Sequence, residues 1–195
     1  RARALLEIGE PEKALADANA ILAKEPNLEE MLALRARIHT LRRDWPAADA
    51  DLTKVGNLRE RARVRALAGR VDDALADLEL LLLKDSKDAS VHLERARIQL
   101  EAGRVDDALA TLEKLREFAP GHARARLLTS EARLAKKDPR AAIDWATKAY
   151  EADSQLAEAL IVRGRARVAL GEKEAAAEDF RKALEINPAL KERIQ

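Results

Sequence analysis

Apolar residues recur along this chain at steps of three and four, and the whole pattern returns at a fixed distance. Ala108, Leu109, Leu112 and Leu115 fall on one face of a helix. Their segment opens with Gly103-Arg104-Val105-Asp106-Asp107-Ala108-Leu109-Ala110. The same eight residues stand 34 positions earlier, at Gly69-Arg70-Val71-Asp72-Asp73-Ala74-Leu75-Ala76. Looser copies begin at Gly9, Arg43, Lys137 and Gly171. The alanine five residues into each copy forms a ladder, Ala14, Ala48, Ala74, Ala108, Ala142 and Ala176, with spacings of 34, 26, 34, 34 and 34. A fixed period of this length marks stacked repeats, each too small to bury its apolar face alone.

Each unit predicts two helices. The first ends at the turn residue, as from Ser90 to Ala102 before Gly103 and from Glu158 to Leu170 before Gly171. Glycine suits the position just past a helix end because it accepts a left-handed backbone. The second helix starts one or two residues later. Asp44-Trp45-Pro46 and Asp138-Pro139 have the form of helix openings, with a capping acid and a proline in the first turn. Pro26, Pro120 and Pro188 close units, since proline cannot continue a helix. The units fall at about 1–28, 29–56, 57–88, 89–122, 123–156 and 157–190, with 191–195 opening a further or capping helix.

The 34-residue period, the turn glycine, the alanine five residues on, a small or aliphatic residue seven after that (Ile21, Leu115, Ala149, Ala183) and the closing proline resemble the tetratricopeptide repeat family. The resemblance covers essentially the whole chain, as five full units and a truncated first one. It implies an all-α fold, a right-handed α-solenoid of antiparallel helix pairs. Two features depart from the family pattern. Eight residues before the turn, where the family carries a bulky aliphatic side chain, stand Arg1, Arg35, Arg61, Arg95 and Arg163, with Thr129 in the remaining unit. Either the seam is narrower there, or these arginines lie over it with their heads in solvent. The 26-residue step between Ala48 and Ala74 lacks eight residues around Val55-Gly56-Asn57, which predicts short helices and a tight joint near 53–58.

Composition narrows the picture. Hydrophobic residues make up 47% and aromatics only 3%, so the core must be built from Ala, Leu, Ile and Val. No run approaches the ~20 apolar residues that span a bilayer, and no signal peptide is visible. The chain begins at Arg1 without Met and reads as a piece of something larger. No compartment is written in the sequence, although the cytoplasm is favoured. The net charge of +1 conceals a division: the first helices of the units sum to +10, which leaves −9 for the rest. In the resembled family the first helices line the concave inner surface, so the resemblance implies a basic groove. Six residues before the turn stand Arg3, Arg37, Arg63, Arg97 and Arg165, interrupted by Glu131, while Arg59 and Arg124 fall at other inner positions of the family pattern.

Two readings of these arginines stand side by side. They can pair with acids of neighbouring helices, for which Asp72, Asp73, Asp106, Asp107, Glu178 and Asp179 are placed by sequence. They can also bind a ligand, because a guanidinium fork matches a carboxylate in bidentate fashion. The row eight before the turn leans to structure and the row six before it to binding. The candidate peptide-binding residues are therefore Arg37, Arg59, Arg63, Arg97, Arg124 and Arg165.

Chemistry of other kinds lacks its residues. His39, His92 and His122 sit in three different units without a repeated Ser or Asp partner, there is no cysteine, and no His pair is spaced for a metal. No phosphate-binding glycine motif is present. Trp45 and Trp145, with Phe118, Tyr150 and Phe180, read as packing residues. The expectation is a module that holds another protein or peptide, acidic in character, with no catalytic residue, metal or cofactor. The alternative is a regulatory or substrate-recruiting segment of a larger enzyme. RNA or polyanion binding ranks below both, because the first helices lack stacking aromatics. Self-association through the cut ends is a further expectation.

Overall fold

The computed structural model describes residues 1–194, and these form helices and turns. They divide into two compact units, Arg1–Ser86 and the segment from Lys87 onward. The first unit holds α1 (Ala2–Glu7), α2 (Pro11–Leu22), α3 (Glu29–Leu41), α4 (Trp45–Val55), α5 (Leu58–Leu67) and α6 (Val71–Lys84). The second holds α7 (Ala89–Glu101), α8 (Val105–Phe118), α9 (Ala123–Ala135), α10 (Pro139–Ala152), α11 (Ala157–Ala169) and α12 (Lys173–Ile186), closed by a 3-10 helix at Pro188–Arg193. Gln195, the end of the segment expected to open another helix, lies outside the described residues.

Local chemistry sets the helix ends. Asp44, Asn57, Asp88 and Asp138 each accept a hydrogen bond from a backbone N–H in the first turn of the helix they precede, and Pro46 and Pro139 sit in first turns. Where a first helix closes, the chain reverses through a left-handed residue. Gly103 N–H donates to the Leu100 carbonyl and Arg104 N–H to that of Gln99, with Gly103 at φ 74°. Arg43 and Lys137 take the same turn at φ 59°, although they carry side chains. At the short repeat, α4 has 11 residues and α5 has 10, against 14 in α6 and 13 in α7. Gly56, at φ 72°, joins the shortened pair.

The helices of a pair approach closely because small residues face each other. The ladder alanines Ala14, Ala48, Ala74, Ala108, Ala142 and Ala176 are all buried. So is a second column on the first helices: Ala2, Ala36, Ala62, Ala96, Ser130 and Gly164. Ser130 Oγ donates to the carbonyl of ladder residue Ala142 at 2.7 Å, which fixes how near the columns lie. Packing compensates within a column. Ala36 shares a core cluster with Leu52, and Ala96 shares one with Leu112. In the last pair the larger Phe180 faces Gly164, where an added Cβ would come within 2.5 Å of the ring.

Clusters then link each pair to the next first helix. Ala36, Ala48, Leu52 and Val64 join α3, α4 and α5. Ala96, Leu112, Leu115 and Leu128 join α7, α8 and α9, and Leu127, Ala149 and Val162 join α9, α10 and α11. Leu190 of the closing 3-10 helix packs with Leu160 and Ala183 of the last pair. Trp45, Phe118, Tyr150 and Phe180 all pack against these clusters. Trp145 is half-buried on α10.

Candidate functional site

The arginines of the first helices fall into two structural sets. Of those eight before the turn, Arg1, Arg35, Arg61 and Arg163 are ion-paired in the seam. Arg35 donates through Nε and Nη2 to both oxygens of Asp51, each at 2.7 Å. Arg61 does the same to Asp77 at 2.9 and 2.6 Å, and Arg163 to Asp179 at 3.0 and 2.7 Å. The offset is 16 residues every time, and Arg1 lies 3.2 Å from Asp17 in the same register. The three acceptor aspartates are almost fully buried. The remaining Nη1 reaches back to the preceding second helix: Arg35 to Asn19, Arg61 to Thr53 and Arg163 to Thr147. One guanidinium therefore clamps three helices.

A second arginine, four residues on, shares the aspartate. Arg65 Nη1 donates to Asp77 at 3.0 Å and Arg167 Nη1 to Asp179 at 2.7 Å. Like charges one helical turn apart repel, and each buried carboxylate sits between such a pair and removes the conflict. Hydrogen bonds donated to Asp51 and Asp77 push the Arg35 and Arg61 guanidiniums above their ordinary value, so these groups stay charged. At the short joint the network widens: Asp49 accepts from Arg65 at 2.9 Å and from Arg70 at 2.6 Å. Burial works against the charge on Asp49, but these bonds from Arg70 and Arg65 outweigh it and hold its carboxyl below the usual range.

Of the acids proposed from sequence as seam partners, Asp179 serves. Asp73 bonds to Arg70 and Asp106 to Lys136 instead. Asp51 and Asp77 were missed because a buried acid in the middle of a second helix reads as a surface residue until the 16-residue register is counted.

The arginines six before the turn differ in kind. Arg37, Arg63, Arg97 and Arg165 are all exposed, as is Arg124, while Arg59 is half-buried. Arg63 donates to Glu60 on its own helix at 2.5 Å. Arg37, Arg97 and Arg124 make no side-chain hydrogen bond or ion pair with any described residue. In the first unit Arg37 stands on α3, with Arg59 and Arg63 together on α5. In the second, Arg97, Arg124 and Arg165 stand on α7, α9 and α11, and α9 packs on both of its neighbours.

His92 is buried, and its ring meets Phe118 at 5.5 Å between centroids. His39 Nδ1 lies 3.4 Å from Asp44. No helix among the described residues is long and apolar enough to cross a membrane.

Helix pairs of this length, with a small-residue seam and a turn at each 34-residue step, define an α-helical repeat protein. Comparison with known families agrees. Two tetratricopeptide repeat models match, one over residues 65–132 and one over 157–190, together more than half of the chain. The chain belongs to the tetratricopeptide repeat family, a class of protein–protein interaction modules that are typically not enzymes. Among solved structures it is similar to the C-terminal part of a TPR repeat-containing protein from Cytophaga hutchinsonii (TM-score 0.69, 15% identity, covering 95% of this chain and 77% of that one). It is also similar to MamA from Desulfovibrio magneticus RS-1 (TM-score 0.53, 20% identity, 97% and 93% coverage). A third is YrrB, described as a TPR protein with an unusual peptide-binding site (TM-score 0.59, 18% identity, 82% and 86% coverage). No curated protein matches in sequence.

Proposed function

We propose that this chain is a scaffold or adaptor that holds an acidic peptide or helix of a partner protein in a basic concave groove lined by its first helices. The observation that carries this reading is the contrast between the two arginine sets. The seam set spends its donors on internal carboxylates, whereas Arg37 and Arg97, at the exposed repeating position, keep theirs for something outside. A guanidinium fork repeated from unit to unit suits a ligand that offers carboxylates at intervals along an extended or helical segment. Arg59, Arg63, Arg124 and Arg165 complete the proposed contact set. The peptide-binding site of YrrB, a neighbour in fold, supports a peptide as the class of ligand.

The test is affinity capture from a lysate with the chain as bait, repeated with R63E/R97E/R165E. The reading expects acidic partners that elute as salt is raised, since exposed charges are screened over about 10 Å at 0.1 M salt, and it expects them to be lost from the charge-reversed bait. Retention of every partner by the reversed bait contradicts it.

A further inference from the structure

One repeat lacks the seam arginine, and a cavity lies there. In the fifth repeat the seam position holds Thr129 rather than arginine, and the position 16 residues later holds Trp145 rather than aspartate. Thr129 turns its hydroxyl to the Ala125 carbonyl on its own helix. Glu113, which occupies the place of Asn19 and Thr147 on the preceding second helix, pairs with Arg116 instead. A cavity of about 150 Å³ opens among these residues, with Glu113, Thr129, Trp145, Arg116, Arg126 and Arg133 in its wall.

Arg133 shows what is missing. It stands four residues after the seam position, where Arg65 and Arg167 stand in their repeats, and each of those two finds a carboxylate 12 residues on. Arg65 has Asp77 and Arg167 has Asp179, while at the same position Gln99 accepts from the Thr111 hydroxyl at 2.8 Å. For Arg133 that place is Trp145, whose indole N–H only donates. Arg133 Nε is buried and has no hydrogen-bond partner among the described residues. The surroundings are cationic as well. Arg116 lies 5.6 Å and Lys148 4.8 Å from the centre of the Trp145 ring, and Arg126 is held by the carbonyls of Pro120 and Lys148.

We infer that this cavity is a binding site for a carboxylate, which takes the place of the absent seam aspartate and accepts from the Arg133 guanidinium against the Trp145 ring. Its volume suits one acidic side chain or chain end rather than a large ligand, because sites for drug-sized molecules run to about 300–1,000 Å³. The same carboxylate chemistry could come from a partner's acidic residue or from a small free acid. The site is separate from the groove arginines and stands without them.

The experiment follows the Trp145 indole N–H signal by NMR in the 15N-labelled chain, with W145F to assign it against Trp45. The probes are acetyl-Ala-Glu-Ala-amide, its Gln counterpart and sodium acetate. The Glu peptide is expected to shift the signal saturably and the Gln peptide to leave it in place. Acetate reaching the same affinity as the Glu peptide assigns the site to free acids, and acetate at least about tenfold weaker assigns it to a peptide. R133Q should abolish the response while keeping the helical circular dichroism, since it removes a buried donor that lacks an acceptor. R133K, which keeps charge but not the fork, should weaken it. R97E/R165E should leave it unchanged, so failure of the groove reading does not touch this one. Equal shifts from the Glu and Gln peptides, no saturable shift from any probe, persistence in R133Q, or loss in R97E/R165E would each overturn the proposal.

Discussion

Asp77 is 2% exposed and accepts three hydrogen bonds from two arginines, so its removal leaves two partly buried cations facing each other. Breaking a buried pair by deleting one partner costs about 3–5 kcal/mol when both charges are enclosed. The Arg61 and Arg65 heads still reach solvent, so we expect D77A to lower stability by roughly 2–4 kcal/mol in urea unfolding. The turn residues act in the opposite sense. Arg43 and Lys137 hold a left-handed backbone that costs a side-chain-bearing residue about 1–2 kcal/mol. Glycine relieves that strain at some cost in unfolded-chain entropy. R43G and K137G should each raise stability by about 1 kcal/mol, read as a higher urea midpoint. The repeat showed in sequence that both residues occupy a glycine position, but whether the backbone would keep its left-handed turn there only the structure answers.

Between elements, contact depends on matched volumes across the pair. Gly164 is 34 residues from Ser130 along its column and is the one residue there with no Cβ, because Phe180 occupies the space. G164A gains about 1 kcal/mol of helix propensity and loses more to the ring, with overpacking costing about 1–3 kcal/mol. A double-mutant cycle should show G164A destabilising with Phe180 present and neutral or stabilising in F180A. The ladder alanines were legible from their spacing. The facing column was not, since Ala, Ser and Gly share only small size and carry no motif. The seam register was hidden for a similar reason: a 16-residue offset crosses a turn and joins two helices, and no local pattern of polar and apolar residues reveals it.

Acid should loosen the short joint first. The Asp49 carboxyl lies below its ordinary value of 3.8 in the fold, so the unfolded chain binds that proton more tightly. Its contribution is complete above the unfolded value and drains away as pH falls through the folded one. The urea midpoint of the chain should therefore drop below about pH 4, and D49N should flatten that part of the profile. An equal slope in D49N would assign the acid sensitivity to other carboxylates.

For the molecule as a whole, the repeat is legible because each unit states the same requirements, a left-handed turn and a small ladder residue, and all but the fifth add an arginine over the seam. Family membership followed from the repetition of those features. What repetition conceals is that two arginines only two residues apart, such as Arg35 and Arg37, do different work. One ties its helix to two neighbours and the other faces solvent. Nor does it show that the fifth repeat has exchanged its ion pair for Thr129 and Trp145.

Parallel urea unfolding of two triple variants tests this division most directly. Removing the seam set, R35A/R61A/R163A, should lower the midpoint strongly, because each change takes the two-pronged partner from a buried aspartate. Removing the exposed set, R37A/R97A/R165A, should shift it little, with surface changes worth within about 0.5 kcal/mol each. Equal losses in the two variants, or the larger loss in the exposed set, would contradict the account.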